Sequence, residues 1–102
     1  MFDIRPYIEK LEEFCRRWGI TEVALFGSAL RDDFGPDSDI DLLARFESGV
    51  HWTILDHVQM EDELAEIFGR KVDLVNRMAV EESENTRRKK AILGTAEVIL
   101  VR

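Results

Sequence analysis

The tightest constraint in this sequence is a spacing. Gly27-Ser28 is followed by ten residues and then by Asp39-Ile40-Asp41. Each half sits beside a segment that reads as a strand. Glu22 to Phe26 is a short apolar run that stops at Gly27, the pattern of a buried strand. Gly27-Ser28 then opens a short helical turn reaching about Arg31. The stretch from Asp32 to Ser38, with Asp33 and Pro36 inside it, is rich in turn formers and predicts a loop. Asp39 to Phe46 alternates as a second strand. Ile40, Leu42 and Ala44 fall on one face, and Asp39, Asp41 and Leu43 on the other.

Those residue types suit one kind of chemistry. A strand that delivers Gly-Ser to the start of a helical turn makes an anion site. Glycine lets a phosphate approach the backbone, the first N–H groups point outward, and the serine hydroxyl adds a donor. Two aspartates at i and i+2 of a strand point to the same side. Held together, they repel unless a cation lies between them, and hard oxygen ligands suit Mg²⁺ with substrate phosphates. At ordinary residue usage the four fixed positions match by chance at about 10⁻⁵ per start, or on the order of 10⁻³ over a chain this long.

The remaining pattern is helix and strand in alternation. A first helix is expected from about Asp3, its cap, to Trp18. Ile8, Leu11, Phe14, Cys15 and Trp18 form its apolar stripe, and Gly19 stops it. A second runs from about Thr53 to Phe68, with Ile54, Val58, Ala65 and Phe68 on its buried side. Glu61 falls near the middle of that side, so either the stripe is offset toward Met60 and Leu64 or Glu61 has a partner. Its simplest placement is exposed or at the edge. Lys71 to Val75 predicts a third strand, Val80 to Leu93 a third helix, and Val98 to Val101 a last strand. In that third helix Glu81, Glu82 and Glu84 lie in the first turn and Arg87 to Lys90 further on, an order that complements the helix dipole.

Size and charge narrow the function. At 102 residues, positions 1–102 read as one domain, with no room for a separate substrate domain. A net charge of −7 disfavours direct nucleic-acid binding, which draws on an excess of Lys and Arg. The single cysteine, Cys15, reads as a small buried hydrophobe in a reducing, cytoplasmic setting. No signal-peptide pattern is visible, and the apolar stretch Val98 to Val101 is far too short to span a membrane. His51 and His57 have no partners at zinc-binding spacing.

Gly27-Ser28-Ala29-Leu30-Arg31-Asp32 through Ser38-Asp39-Ile40-Asp41-Leu42 resembles the signature of the DNA polymerase β-like nucleotidyltransferase superfamily. Within it, the sequence is similar to the minimal nucleotidyltransferases, the MNT group of prokaryotes. The resemblance covers nearly the whole chain. It implies an α/β (α+β) nucleotidyltransferase fold: a small mixed β-sheet with helices packed mainly on one side. It implies two Mg²⁺ ions and a nucleoside triphosphate, with ATP expected. It also implies a third acid on a later strand, and Asp73 in Lys71-Val72-Asp73-Leu74-Val75 fits that place. A charge amid a strand is costly if buried unpaired, so Asp73 faces either solvent or the metal site.

On that resemblance the expected metal and catalytic residues are Asp39, Asp41 and Asp73. The expected nucleotide-binding residues are Gly27, Ser28 and Arg31. Arg31 lies one helical turn after Ser28, placed for triphosphate or for pairing with Asp32 or Asp37. Arg87 to Lys90 read as a solvated helix end or as a contact surface for an acidic partner. Relatives of this group are encoded beside HEPN-domain proteins, so the resemblance implies a protein adenylyltransferase acting as antitoxin. Its target is a HEPN toxin, commonly at a tyrosine. Two alternatives stand beside it: an antitoxin that neutralises by binding with little catalysis, and a small-molecule nucleotidyltransferase.

Overall fold

A computed structural model describes residues 2–32, 34–35 and 37–102. Asp33 and Pro36, which the sequence places in a loop, lie outside the described residues. The chain runs α1 (Ile8–Trp18), β1 (Ile20–Phe26), a 3₁₀ turn (Gly27–Leu30), β2 (Ile40–Phe46), α2 (Ile54–Phe68), β3 (Val72–Asn76), α3 (Arg77–Glu81), α4 (Thr86–Leu93) and β4 (Glu97–Val101). The four strands form one sheet in the order β3-β2-β1-β4. β1 pairs antiparallel with β2 and β4, and β2 pairs parallel with β3. The parallel pair needs a crossover, and α2 supplies it.

Strand alternation divides the interior in two. Val23, Leu25, Ile40, Leu42, Ala44, Val72 and Leu74 point to one face, where Leu11, Phe14 and Cys15 of α1 and Met60, Leu64 and Phe68 of α2 cover them. Ala24 and Leu43 point to the other, where Val80 of α3 and Ile92 of α4 close a smaller cluster. The two long helices thus share one side, as the resemblance implies, and the short α3 and α4 pack the other. Cys15 is fully buried, and burial pushes its thiol up to about 12.

Three expectations need correction. The first helix is preceded by a 3₁₀ turn at Arg5–Tyr7, and α1 begins only at Ile8. Asp3 serves the 3₁₀ turn instead, accepting from the Arg5 N–H at 3.1 Å. In α2, Ile54 and Val58 are exposed, and the buried stripe is Met60, Leu64 and Phe68. Thr53 caps that helix in a capping box with Asp56. The helix expected over Val80 to Leu93 is two helices. The Asn85 side chain accepts from the Arg88 N–H at 3.1 Å, and the Asn85 N–H donates to Ser83 Oγ at 3.2 Å. Ser and Asn side chains compete for backbone groups in this way and start a new helix. Glu81 therefore ends α3, Glu82 and Glu84 precede α4, and the expected dipole arrangement does not form.

Candidate active site

The site candidates meet at one end of the smaller-cluster face. Parallel register sets Asp41 of β2 beside Asp73 of β3, and antiparallel register sets Phe26 of β1 on its other side. Asp39 lies two residues earlier on the same face, just before β2 begins. All three aspartates are half-buried. Gly27 follows Phe26 with φ +66°, a backbone conformation that favours glycine. A Cβ there would lie 2.5 Å from Asp41 Oδ2. Glycine is thus required twice over, for its dihedral angle and for the carboxylate that occupies the space.

Ser28 links the turn to the acids. Its hydroxyl donates to the Asp39 carbonyl at 3.1 Å, and its own carbonyl accepts from the Arg31 N–H at 3.0 Å. Arg31 closes the turn and is exposed. The Asp41 carboxyl is held above the ordinary value of 3.8. Burial is the main cause, followed by repulsion from Asp73 and Asp39. A hydrogen bond from the Ser28 backbone N–H pulls the other way. Lys71 Nζ stands 3.9 Å from Asp39 Oδ2, but the lysine side chain is mostly exposed, so it neutralises little.

This donor set fits a hard divalent cation. All three side chains offer oxygen, two are register neighbours, and their mutual repulsion is what a cation relieves. Among the described residues, no three His, Cys, Asp or Glu side chains converge tightly enough to hold a metal by themselves. Mg²⁺ fits such an open arrangement, because it takes one or two carboxylates and completes its shell with water and substrate phosphates.

Glu61 has a role that the sequence reading placed second. Its Oε2 accepts from the Leu74 N–H at 2.8 Å, next to Asp73. β3 is an edge strand, so this carboxylate satisfies an edge N–H and pins the strand that carries the third acid. The offset of the α2 stripe and the partnered Glu61 therefore hold together. The sequence signal was present: an acid near the middle of an apolar face. His57 Nε2 lies 3.6 Å from the same Glu61 oxygen. Arg87, Arg88 and Lys90 are exposed on α4, while Lys89 is half-buried.

Among the described residues, no helix is long and apolar enough to cross a membrane. The family model described as a nucleotidyltransferase domain matches residues 8–99. The chain is 36% identical over 64 residues to the protein adenylyltransferase MntA of Thermococcus cleftensis, and that overlap spans 63% of either chain, less than two-thirds of the relative's length. A solved structure described as a candidate minimal nucleotidyltransferase superposes with a TM-score of 0.67 at 33% identity, covering 91% of this chain and 89% of that one. The structure of a tri-AMPylated Shewanella oneidensis HEPN toxin in complex with MNT antitoxin has the same fold, with a TM-score of 0.64, 15% identity, and coverage of 98% and 74%. With a family model running from the start of α1 into β4, and the Gly-Ser turn and its acids inside the match, this chain belongs to the nucleotidyltransferase-domain family.

Proposed function

We propose that residues 1–102 work as one cytoplasmic nucleotidyltransferase domain that moves AMP from ATP onto a hydroxyl of a partner protein. The partner is a HEPN-type toxin, the acceptor is a tyrosine, and the chain acts as its antitoxin. The observation that carries this reading is the register of Asp41 against Asp73, with Gly27 packed directly over the Asp41 carboxylate.

Each residue then has a defined task. Asp39, Asp41 and Asp73 would hold two Mg²⁺ ions, which would supply charge neutralisation at the α-phosphate. The Gly27 N–H, at the start of the helical turn, binds the β and γ phosphates as an anion donor, while the Ser28 N–H holds the Asp41 carboxylate beside them. Ser28 keeps the turn and Asp39 in one rigid unit through its bond to the Asp39 carbonyl. Arg31, exposed at the exit of the turn, reaches toward the triphosphate. Asp73 orients the attacking hydroxyl and takes its proton. The hydroxyl oxygen attacks the α-phosphorus, a P–O bond forms, and pyrophosphate leaves with the bridging oxygen.

The test is transfer of label from α-³²P ATP to a co-purified HEPN partner. Label is expected on the partner with the native chain and absent with Asp39→Asn plus Asp41→Asn. Undiminished labelling by that double variant would sink the assignment.

A second reading draws on a separate observation. Trp52, Ile54, Leu55, Val58 and Met78 are exposed around the start of α2 and α3. They lie at the end of β2 and β3 remote from the acids. An apolar patch of this kind suits protein contact, so neutralisation by binding alone is the alternative. Full toxin suppression by the double variant in co-expression would favour it.

A further inference from the structure

The turn between α2 and β3 grips the loop that returns from the Gly-Ser turn to the acids. Arg70 Nη1 donates to the carbonyls of Gly35 at 2.9 Å and Ser38 at 3.2 Å. The guanidinium carbon lies 4.8 Å from the centroid of the Phe34 ring and 5.6 Å from that of Phe2. Phe2 in turn meets the edge of Phe34 and donates its N–H to the Ala29 carbonyl of the 3₁₀ turn at 2.9 Å. The next residue along, Lys71, accepts the Ile40 N–H on its carbonyl at 3.0 Å.

The consequence falls on Asp39. The carbonyl before it is held by Arg70. Its own carbonyl is held by Ser28 Oγ at 3.1 Å, and the N–H after it is held by Lys71. Both peptide groups that set the direction of the Asp39 side chain are therefore fixed from outside the loop. A guanidinium suits this task. It is planar, its single Nη1 reaches both carbonyls, and its π-face packs on aromatic rings. A lysine ammonium keeps the charge but loses the plane that packs on the rings and fixes the direction of the donor.

We infer that Arg70 is a positioning residue of the nucleotide and metal site: by holding the carbonyls of Gly35 and Ser38 while its guanidinium packs against the Phe2 and Phe34 rings, it sets Asp39 against the Gly27-Ser28 turn. This rests on the nucleotidyltransferase reading above for its functional consequence, and on the contacts alone for its structural one.

The test uses the full chain with Arg70→Lys. Amide hydrogen exchange is followed at Phe34, Ser38 and Ile40, whose N–H groups are bonded within or beside the loop. The Mg²⁺ concentration giving half-maximal AMP transfer is measured in parallel. Loss of the planar, ring-packed donor is expected to speed exchange at these amides about tenfold and to raise the Mg²⁺ requirement about tenfold, since small misplacements of a reacting group cost that much or more. Restoring the native rate at high Mg²⁺ would separate positioning from a loss of fold. Phe34→Leu, which keeps both hydrogen bonds and removes one ring, is expected to speed the same amides about threefold. If the native chain transfers no AMP, the proposed function fails while the exchange experiment still reads the clamp. Native exchange at all three amides in Arg70→Lys, or in Phe34→Leu should the lysine variant not fold, overturns the inference.

Discussion

The sheet face that carries the candidate site has two charged ends, and they are built in opposite ways. At one end Asp39, Asp41 and Asp73 gather like charges, and the Asp41 carboxyl is pushed up, by burial first and by its two acidic neighbours second. At the other end Glu22, Arg45, Arg77 and Glu81 alternate in sign. Arg45 contacts Glu81 at 2.9 Å and Glu22 at 3.5 Å, while Arg77 contacts Glu22 at 3.2 Å and Glu81 at 3.6 Å. The belt of Ala24, Leu43, Val80 and Ile92 separates them. The neutral end closes on itself and anchors α3 to the sheet. The acidic end leaves most of its charge uncompensated by the protein, the arrangement that the proposed cation site calls for. Balanced and unbalanced charge are thus segregated along a single strand, β2.

The sharpest way to break this contrast is Asp41→Asn. AMP transfer should fall by about 10³-fold, because the carboxylate at the centre of the site is gone. The melting temperature without Mg²⁺ should instead rise by about 3 °C, since a charge disfavoured by burial and by its acidic neighbours is removed. Scanning calorimetry on the variant decides it, and a fall in melting temperature would contradict the strained-acid description. Next in size is Gly27→Ala. Its Cβ collides with Asp41 Oδ2 and its φ is left-handed. A loss of about 2 kcal/mol in chemical denaturation is expected, with transfer down about 10²-fold as the carboxylate is displaced.

At the balanced end, Arg77→Met leaves Glu22 and Glu81 to share Arg45 alone. About 2 kcal/mol of stability should be lost by urea titration, because one partner of a half-buried network is removed. Adding Glu22→Gln should return part of it, and additive losses would show that the four residues do not act as a network. The smallest effect is in pH dependence. A raised carboxyl lets the folded state hold its proton to higher pH than the unfolded chain does. The stability contributed by protonated Asp41 is therefore present below the ordinary value of 3.8 and lost as pH rises through the higher folded-state value. Thermal melts above pH 3.8 should show this slope in the native chain, less of it with Mg²⁺, and none of the Asp41 share in Asp41→Asn.

Much of the site is readable locally. The Gly-Ser turn follows from an apolar run that ends at a glycine, and the shared face of Asp39 and Asp41 follows from strand alternation alone. The α2 face was harder to read. Ile54 and Val58 are as apolar as Met60 and Leu64, so periodicity offered two stripes; contact with β3 chose between them, and the Leu74 N–H drew Glu61 inward. The break between α3 and α4 was hidden in Ser83 and Asn85, whose capping bonds outweigh continuation of one helix. Arg70 gave no signal in sequence, because the value of its guanidinium comes from two carbonyls and two rings that are distant along the chain.

What the sequence determined by itself was the set of parts: a phosphate-type turn, an acid pair on one strand face, a third acid in a later strand, and helices to cover a sheet. These depend on short-range geometry, in which side-chain direction repeats every two or about four residues. Only the tertiary structure decided that Asp73 stands next to Asp41, that Gly27 lies against the Asp41 carboxylate, and that the far end of the same face is neutralised. Those outcomes depend on strand register, and register is fixed by how α1 and α2 pack one face of the sheet and α3 and α4 the other.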